Sequence, residues 1–215
     1  MLKKGITGSD LKWIAIISML IDHIGAVLFP GMLWMRYVGR IAFPVFCFLL
    51  VEGFYHTRNV KRYLFRLLLF ALISEIPYDL AFYHTVWYPA KQNVFFTLAI
   101  GLGFLWFWDR EREPVFKAGL LVIAIWLAEI LRTDYHGYGV LLIIMFQIIR
   151  QRNKIWMIVC GLWNFLWKST IQYAGLLSIP IIALYNGERG NRMKYFFYVF
   201  YPVHLIMLYL IKCNI

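Results

Sequence analysis

The chain has 215 residues, of which 62% are hydrophobic and only 15% charged, with a mean hydropathy of +0.66. That balance excludes an ordinary soluble globular domain, in which about 25% of residues are charged. The formal net charge of +11 does not point to nucleic acid, because the basic residues punctuate apolar runs and no aromatic and basic face gathers them.

A bilayer core about 30 Å thick needs about 20 apolar residues per helical crossing, and the sequence offers such stretches almost back to back. Its first apolar run follows Met1 to Lys4 in the manner of a signal peptide. It lacks a small-x-small cleavage site and carries Asp22 and His23, so it is expected to remain as a first span. Polar, glycine and proline clusters then divide the chain into nine predicted helices. The first five are Leu11 to Phe29, Trp34 to Tyr55, Tyr63 to Phe82, Val94 to Trp108 and Val115 to Leu131. Gly139 to Ile149, Ile155 to Trp167, Ile171 to Tyr185 and Tyr195 to Ile211 complete the set. The expected fold is all-α: one polytopic transmembrane helical bundle over residues 1–215, with no separate soluble domain, low-complexity tract or internal repeat.

Charge distribution gives the orientation, since cytoplasmic loops carry an excess of lysine and arginine. With the N-terminus inside, fifteen basic residues fall on the cytoplasmic side: Lys3, Lys4, Lys12, Arg58, Lys61, Arg62, Arg110, Arg112, Lys117, Arg150, Arg152, Lys154, Arg189, Arg192 and Lys194. Lys91, Arg132, Lys168 and Lys212 fall on the other side, and Arg36, Arg40 and Arg66 lie within spans. Nine spans with an inside N-terminus and an outside C-terminus fit this pattern. Cys47, Cys160 and Cys213 are far apart in sequence and form no CxxC, so neither a metal site nor a redox motif is expected.

An ionisable side chain within hydrocarbon costs several kcal/mol (about) unless it pairs or meets water, so each one marks a candidate site. Asp22 and His23 lie just beyond the middle of the first predicted helix. Arg36 and Arg40 share one face near the outer end of the second, and Glu52 and His56 lie near its inner end. Glu75 and Asp79, four apart with Pro77 between them, occupy the outer half of the third. Common depth predicts one polar cluster of two arginines, three carboxylates and a histidine, in which Arg36 and Arg40 neutralise Glu75 and Asp79. His23 is the candidate general base, because imidazole titrates near neutrality. His204 is a second mid-membrane histidine, readable as a ring bonded to a carbonyl freed by Pro202. His84 and His136 fall in predicted outer loops, where they are expected to be solvated.

Several segments resemble the TraX family nearly end to end. They are Leu20-Ile21-Asp22-His23-Ile24-Gly25, Gly39-Arg40-Ile41-Ala42-Phe43-Pro44 with Glu52-Gly53-Phe54, and Ile73-Ser74-Glu75-Ile76-Pro77-Tyr78-Asp79-Leu80. Gln92-Asn93-Val94-Phe95-Phe96, Tyr185-Asn186-Gly187-Glu188-Arg189-Gly190, Tyr195-Phe196-Phe197-Tyr198 and Tyr201-Pro202-Val203-His204-Leu205 continue the resemblance. The chain is more distantly similar to the membrane acyltransferases that decorate surface polysaccharides, whose first helix carries a basic residue and, after ten positions, a histidine, as Lys12 and His23 do here.

The resemblance implies a multi-pass protein of the bacterial cytoplasmic membrane that transfers acetyl from cytosolic acetyl-CoA to an acceptor amine or hydroxyl. The implied acceptor is a pilin or membrane-peptide N-terminus, or a surface glycan. His23 would take the acceptor proton, oriented by Asp22 or another carboxylate, without an acetyl-enzyme. Arg58, Lys61, Arg62, Arg66, Arg189, Arg192 and Lys194 are the cations available for the CoA phosphates, and Asn93 or an arginine would polarise the thioester carbonyl. Two other classes fit the same residues: a small proton- or ion-coupled transporter or flippase using Asp22, His23, Glu75 and Asp79, and a non-catalytic assembly factor for a surface appendage.

Overall fold

A computed structural model describes residues 5–150, 161, 163, 169–191 and 194–215. Among them every regular element is helical, and the only β features are two isolated bridges, Ile6 with Tyr185 and Gln92 with Thr133. Helix α1, Gly8–Val27, begins at a capping box. The Thr7 hydroxyl accepts from the Asp10 amide at 3.3 Å, and the Asp10 carboxylate accepts from the Thr7 amide at 2.8 Å. The segment 184–191 wraps this start. Ile6 N–H donates to the Leu184 carbonyl at 3.0 Å, Gly8 N–H to that of Glu188 at 2.7 Å, and the Asn191 amide to the Ser9 hydroxyl at 3.1 Å. Amides that a helix start leaves without intrahelical partners are thereby satisfied.

The second predicted helix is two helices, α2 (Leu33–Gly39) and α3 (Ala42–His56). Pro44 has no N–H for the carbonyl four residues back, that of Arg40. The chain tightens there, with Arg40 and Ile41 donating to the carbonyls three residues earlier, Tyr37 and Val38, at 3.2 and 3.3 Å. Helix α4, Val60–Tyr83, runs unbroken through Pro77. Helices α5 (Val94–Trp108), α6 (Pro114–Ile130) and α7 (His136–Ile149) follow as expected. The predicted span Ile155 to Trp167 lies outside the described residues apart from Gly161 and Trp163, as do Lys3, Lys4, Arg152, Lys154, Lys168, Arg192 and Cys160. The eighth predicted helix is a 3-10 turn, Ile171–Leu177, followed by the short α8, Ser178–Ala183, and α9 is Lys194–Cys213.

Side-chain contacts fix the helix directions. Trp13 meets Phe196 and Phe197, and His23 meets His204, so α1 and α9 run parallel. Phe70 against Tyr198 and His84 against Tyr209 make α4 parallel to both. Met35 packs on Gly25 and Val38 on Ser18, so α2 runs back along α1. Arg58, Arg62, Arg110, Lys117, Arg150 and Arg189 therefore sit toward one end of the bundle, at or beside helix termini. Outward faces are apolar: on α6 alone Val115, Phe116, Val122, Ile123, Trp126 and Ile130 are exposed. A continuous apolar exterior of this kind is a lipid or interaction surface, not a water-facing one.

By length and composition, two described stretches suffice to cross a membrane, Leu33–His56 and Tyr195–Cys213. Nine crossings therefore remain an expectation. The α1 and α4 stretches carry the polar residues that make up the candidate site, Asp22 on one and Glu75 and Asp79 on the other.

Gly190 has φ 68°, and a Cβ there would lie 2.1 Å from the Ser9 hydroxyl; Gly187 has φ 83° but open space around it. Both Gly→Ala changes should incur left-handed strain of about 1–2 kcal/mol. Gly190→Ala should lose about 1–3 kcal/mol more from the clash, measured as thermal midpoints of the detergent-solubilised protein.

Candidate functional site

The polar residues of the first helices separate into distinct groups. Asp22 faces α2. Its two carboxylate oxygens accept from Arg40 Nη2 at 2.7 and 2.8 Å, and Arg36 Nη1 lies 2.9 Å from the carboxylate and 3.0 Å from the Asp22 carbonyl. Arg36 and Arg40 are thus partners of Asp22, not of Glu75 and Asp79 as common depth suggested. Depth along an axis fixes the level of a side chain but not its azimuth, and α2 packs on α1. The approach requires Gly39, where a Cβ would fall 2.2 Å from the Asp22 side chain, and is braced by Ser18, whose hydroxyl donates to the Val38 carbonyl at 2.5 Å.

His23, one residue on, is turned about 100° around the helix from Asp22. Its Nδ1 lies 2.7 Å from Nε2 of His204, and Nδ1 of His204 lies 2.8 Å from the Phe200 carbonyl. The orienting partner of His23 is therefore a histidine of α9, since Asp22 is held by the arginines. Pro202 would free the carbonyl of Tyr198, so the carbonyl that His204 uses, that of Phe200, is a different one. Phe82 meets the His23 ring edge-on at 5.4 Å, and Tyr201, 3% exposed, sits beside both imidazoles.

Glu75 and Asp79 belong to the junction of α4 and α5. Asn93, fully buried, caps α5 by accepting from the Phe95 amide at 3.1 Å. Its Nδ2 donates to the Ala71 carbonyl at 2.8 Å and to Glu75 Oε2 at 2.5 Å. Both amide hydrogens are engaged, so Asn93 ties two helices together and has no donor left for a thioester carbonyl. Asp79 Oδ2 accepts from the Tyr88 amide at 2.7 Å. The second oxygen of each carboxylate, Glu75 Oε1 and Asp79 Oδ1, is buried without a hydrogen-bond partner among the described residues.

Asp134 and Lys91 were not singled out by sequence, because they lie in segments read as outer loops. Lys91 Nζ lies 2.8 Å from Asp134 Oδ1, and the Tyr78 hydroxyl donates to the same oxygen at 3.5 Å. The Asp134 carboxylate raises the Lys91 pKa above the ordinary lysine value, against the opposing effect of burial. The Asp134 carboxylate is near enough to Asp22 and Arg40 for their charges to interact, which links this group to the arginine clamp. No local sequence signal marks the pair: Asp134 stands between Thr133 and Tyr135 in a polar connection. His136, expected to be solvated, has Nδ1 3.3 Å from Glu129.

The remaining candidates lie at the basic end. Glu52 accepts from Arg150 Nε at 2.7 Å and its carbonyl contacts His56 Nδ1 at 2.7 Å, joining α3 to α7 far from His23. Arg66 lies over the Tyr63 ring at 5.6 Å, with its charge near the Tyr198 side chain. Arg58, Arg62 and Arg189 are exposed, and no ion pair or hydrogen bond joins their side chains among the described residues. Lys12 lies over Phe197 at 5.4 Å, close enough to Arg189 for their charges to interact.

The family described as TraX protein matches residues 7–212. The chain belongs to the TraX family. It is 31% identical to the probable fimbrial assembly protein FimC, serogroup H1, of Dichelobacter nodosus, over 93% of each chain. It is 29% identical to an uncharacterised protein of Rickettsia prowazekii, over 70% of this chain and 58% of that one. It is 25% identical to protein TraX of Escherichia coli, over 92% of this chain and 84% of that one. No solved structure gives a significant match.

Chemically, this TraX-family chain brings together a histidine pair, an arginine-held carboxylate and two half-satisfied carboxylates at neighbouring helix contacts. Among the described residues no group of three or more His, Cys, Asp or Glu side chains is placed to hold a metal ion. The Asp22 clamp is sensitive to one-sided change, because removing one partner of a buried ion pair leaves an uncompensated charge. Asp22→Asn should therefore destabilise the protein by about 3–5 kcal/mol in urea unfolding of the micellar protein. Arg36→Met should cost clearly less, since Arg40 still engages both oxygens of Asp22.

Proposed function

We propose that this chain is a multi-pass acetyltransferase of the bacterial cytoplasmic membrane, in which His23 is the general base for acetyl transfer from cytosolic acetyl-CoA to an acceptor amine or hydroxyl. The carrying observation is the part-buried hydrogen bond between His23 and His204: it orients an imidazole within the bundle, beside a carboxylate already engaged by two arginines. In the proposed step the acceptor lone pair attacks the thioester carbonyl carbon while its proton passes to His23. The C–S bond then breaks, the electron pair leaves on the CoA sulfur, and the sulfur takes the proton back from His23.

Further support comes from the seam between α1 and α9. Lys12 and His23 are eleven residues apart, about three helical turns, and each contacts α9. Lys12 lies toward the basic end of this seam and the imidazole pair lies deeper along it. Positive-inside placement puts that end in the cytoplasm, where acetyl-CoA is found. The apolar exterior suits lipid as solvent. The name of the Dichelobacter relative supports an acceptor that is a subunit of a surface appendage.

The unpartnered oxygens of Glu75 and Asp79 favour a second reading, a proton-coupled transporter in which these carboxylates carry the proton. One assay separates the two. Purified protein in lipid, given radiolabelled acetyl-CoA and a membrane extract of the source cell, should transfer label, and His23→Ala should lower the rate by about 10²-fold or more. Transfer that survives His23→Ala would sink the assignment of His23. Absence of both CoA binding and transfer, with proton uptake into vesicles abolished by Glu75→Gln, would favour transport.

A further inference from the structure

We infer that His204 is a positioning residue that fixes the tautomer of His23, so that the lone pair of His23 resides on Nε2 and its only hydrogen on Nδ1. The inference rests on the acetyl-transfer reading of the same site. It begins at Phe200, whose carbonyl oxygen can only accept. The 2.8 Å contact with His204 Nδ1 therefore requires the hydrogen to be on that nitrogen. A neutral imidazole has one N–H, so Nε2 of His204 is an acceptor. His23 Nδ1, 2.7 Å from it, must then donate, which leaves Nε2 of a neutral His23 without a hydrogen. Every N–H in the chain points the same way, from His23 through His204 to a backbone carbonyl that the helix itself holds in place.

Ring geometry makes the bond between the imidazoles a straight one. The two imidazole planes are only 6° apart and their centroids are separated by 5.0 Å. That separation is the nitrogen contact plus one ring radius on each side, so the rings meet edge to edge in nearly one plane, with the N–H aimed along the facing lone pair. Aromatic contacts hold both rings. Phe200 stacks on His204 at 4.8 Å, Phe82 meets His23 edge-on, and Tyr201 meets each ring at a steep angle.

In the proposed reaction, Nε2 accepts the acceptor proton while Nδ1–H already points at His204, so the imidazolium forms without ring rotation. The neutral His204 takes the place that a carboxylate holds in hydrolase triads, orienting the base without adding a negative charge to an apolar interior. This accounts for a second histidine at the same level of the bundle and for the engagement of Asp22 elsewhere.

The test reads the tautomer directly. Full-length protein labelled with ¹⁵N-histidine is recorded in nanodiscs at a pH high enough to keep imidazoles neutral, with His23 assigned by the signals lost in His23→Gln. Wild type should show a protonated Nδ1 and an unprotonated Nε2 on His23. His204→Phe keeps the ring packing but has no acceptor, and should give mixed His23 tautomers and an acetyl-transfer rate lower by about 10²-fold. His204→Gln, whose side-chain carbonyl can accept from Nδ1, should restore the wild-type signature and bring the rate to within about 10-fold of wild type. Hydrogen on Nε2 in wild type, or an unchanged tautomer and rate in His204→Phe, would overturn the inference. The inferred tautomer in wild type, released in His204→Phe but without acetyl transfer by any form, would uphold the positioning role and defeat the acetyl-transfer reading instead.

Discussion

The arrangement of the bundle around its candidate site depends on one carboxylate. Asp22 accepts from both Arg36 and Arg40, and Gly39 lets α2 approach α1 closely enough for the contact to form. Burying an ion pair contributes little net stability, but it is very sensitive to geometry, because either charge left alone in a low-dielectric interior is costly. The clamp therefore acts as a rotational stop on α1. With Asp22 committed to α2, the next side chain, His23, is directed toward α4 and α9, where Phe82, Tyr201 and His204 receive it.

That stop gives the neighbouring polar groups separate tasks. Asn93 fixes the start of α5 against α4 through Glu75 and the Ala71 carbonyl, and Asp79 does the same for the connecting loop through the Tyr88 amide. Asp134 and Lys91 meet over Tyr78 at the end away from the basic residues. At the opposite end, Glu52 and Arg150 tie α3 to α7, and the wrapped start of α1 is locked by segment 184–191. The imidazole pair thus lies between two independently fastened ends. A reactive group held by packing on several rigid helices keeps its geometry better than one held by loops.

Much of this was legible in the sequence, for identifiable reasons. Long apolar runs bounded by polar and glycine clusters located α1, α4, α5, α6, α7 and α9, because hydrophobic length is a direct physical signal. The break between α2 and α3 was legible too, had the missing N–H of Pro44 been followed back to Arg40. Counting rise per residue placed Asp22, His23, Arg36, Arg40, Glu75 and Asp79 near one level, yet it could not say which faced which. Azimuth depends on which helices are neighbours, and that is a tertiary fact. The same gap separated His23 from His204, which lie 181 residues apart in the chain. Asp134 and Lys91 carry no such signal, because a charged loop residue has an ordinary explanation in solvent and nothing in the local sequence shows that the loop folds inward.

The claim at the centre of this account is that the Asp22 clamp turns His23 onto α9. Paired cysteines in native membranes test it most directly, in a chain whose own Cys47, Cys160 and Cys213 are replaced by alanine or serine. A short bifunctional thiol reagent should join His23→Cys to His204→Cys efficiently, and should fail to join Asp22→Cys to His204→Cys, although positions 22 and 23 are adjacent. Equal crosslinking from both positions, or crosslinking from position 22 alone, would show that α1 is rotated otherwise and would contradict the account.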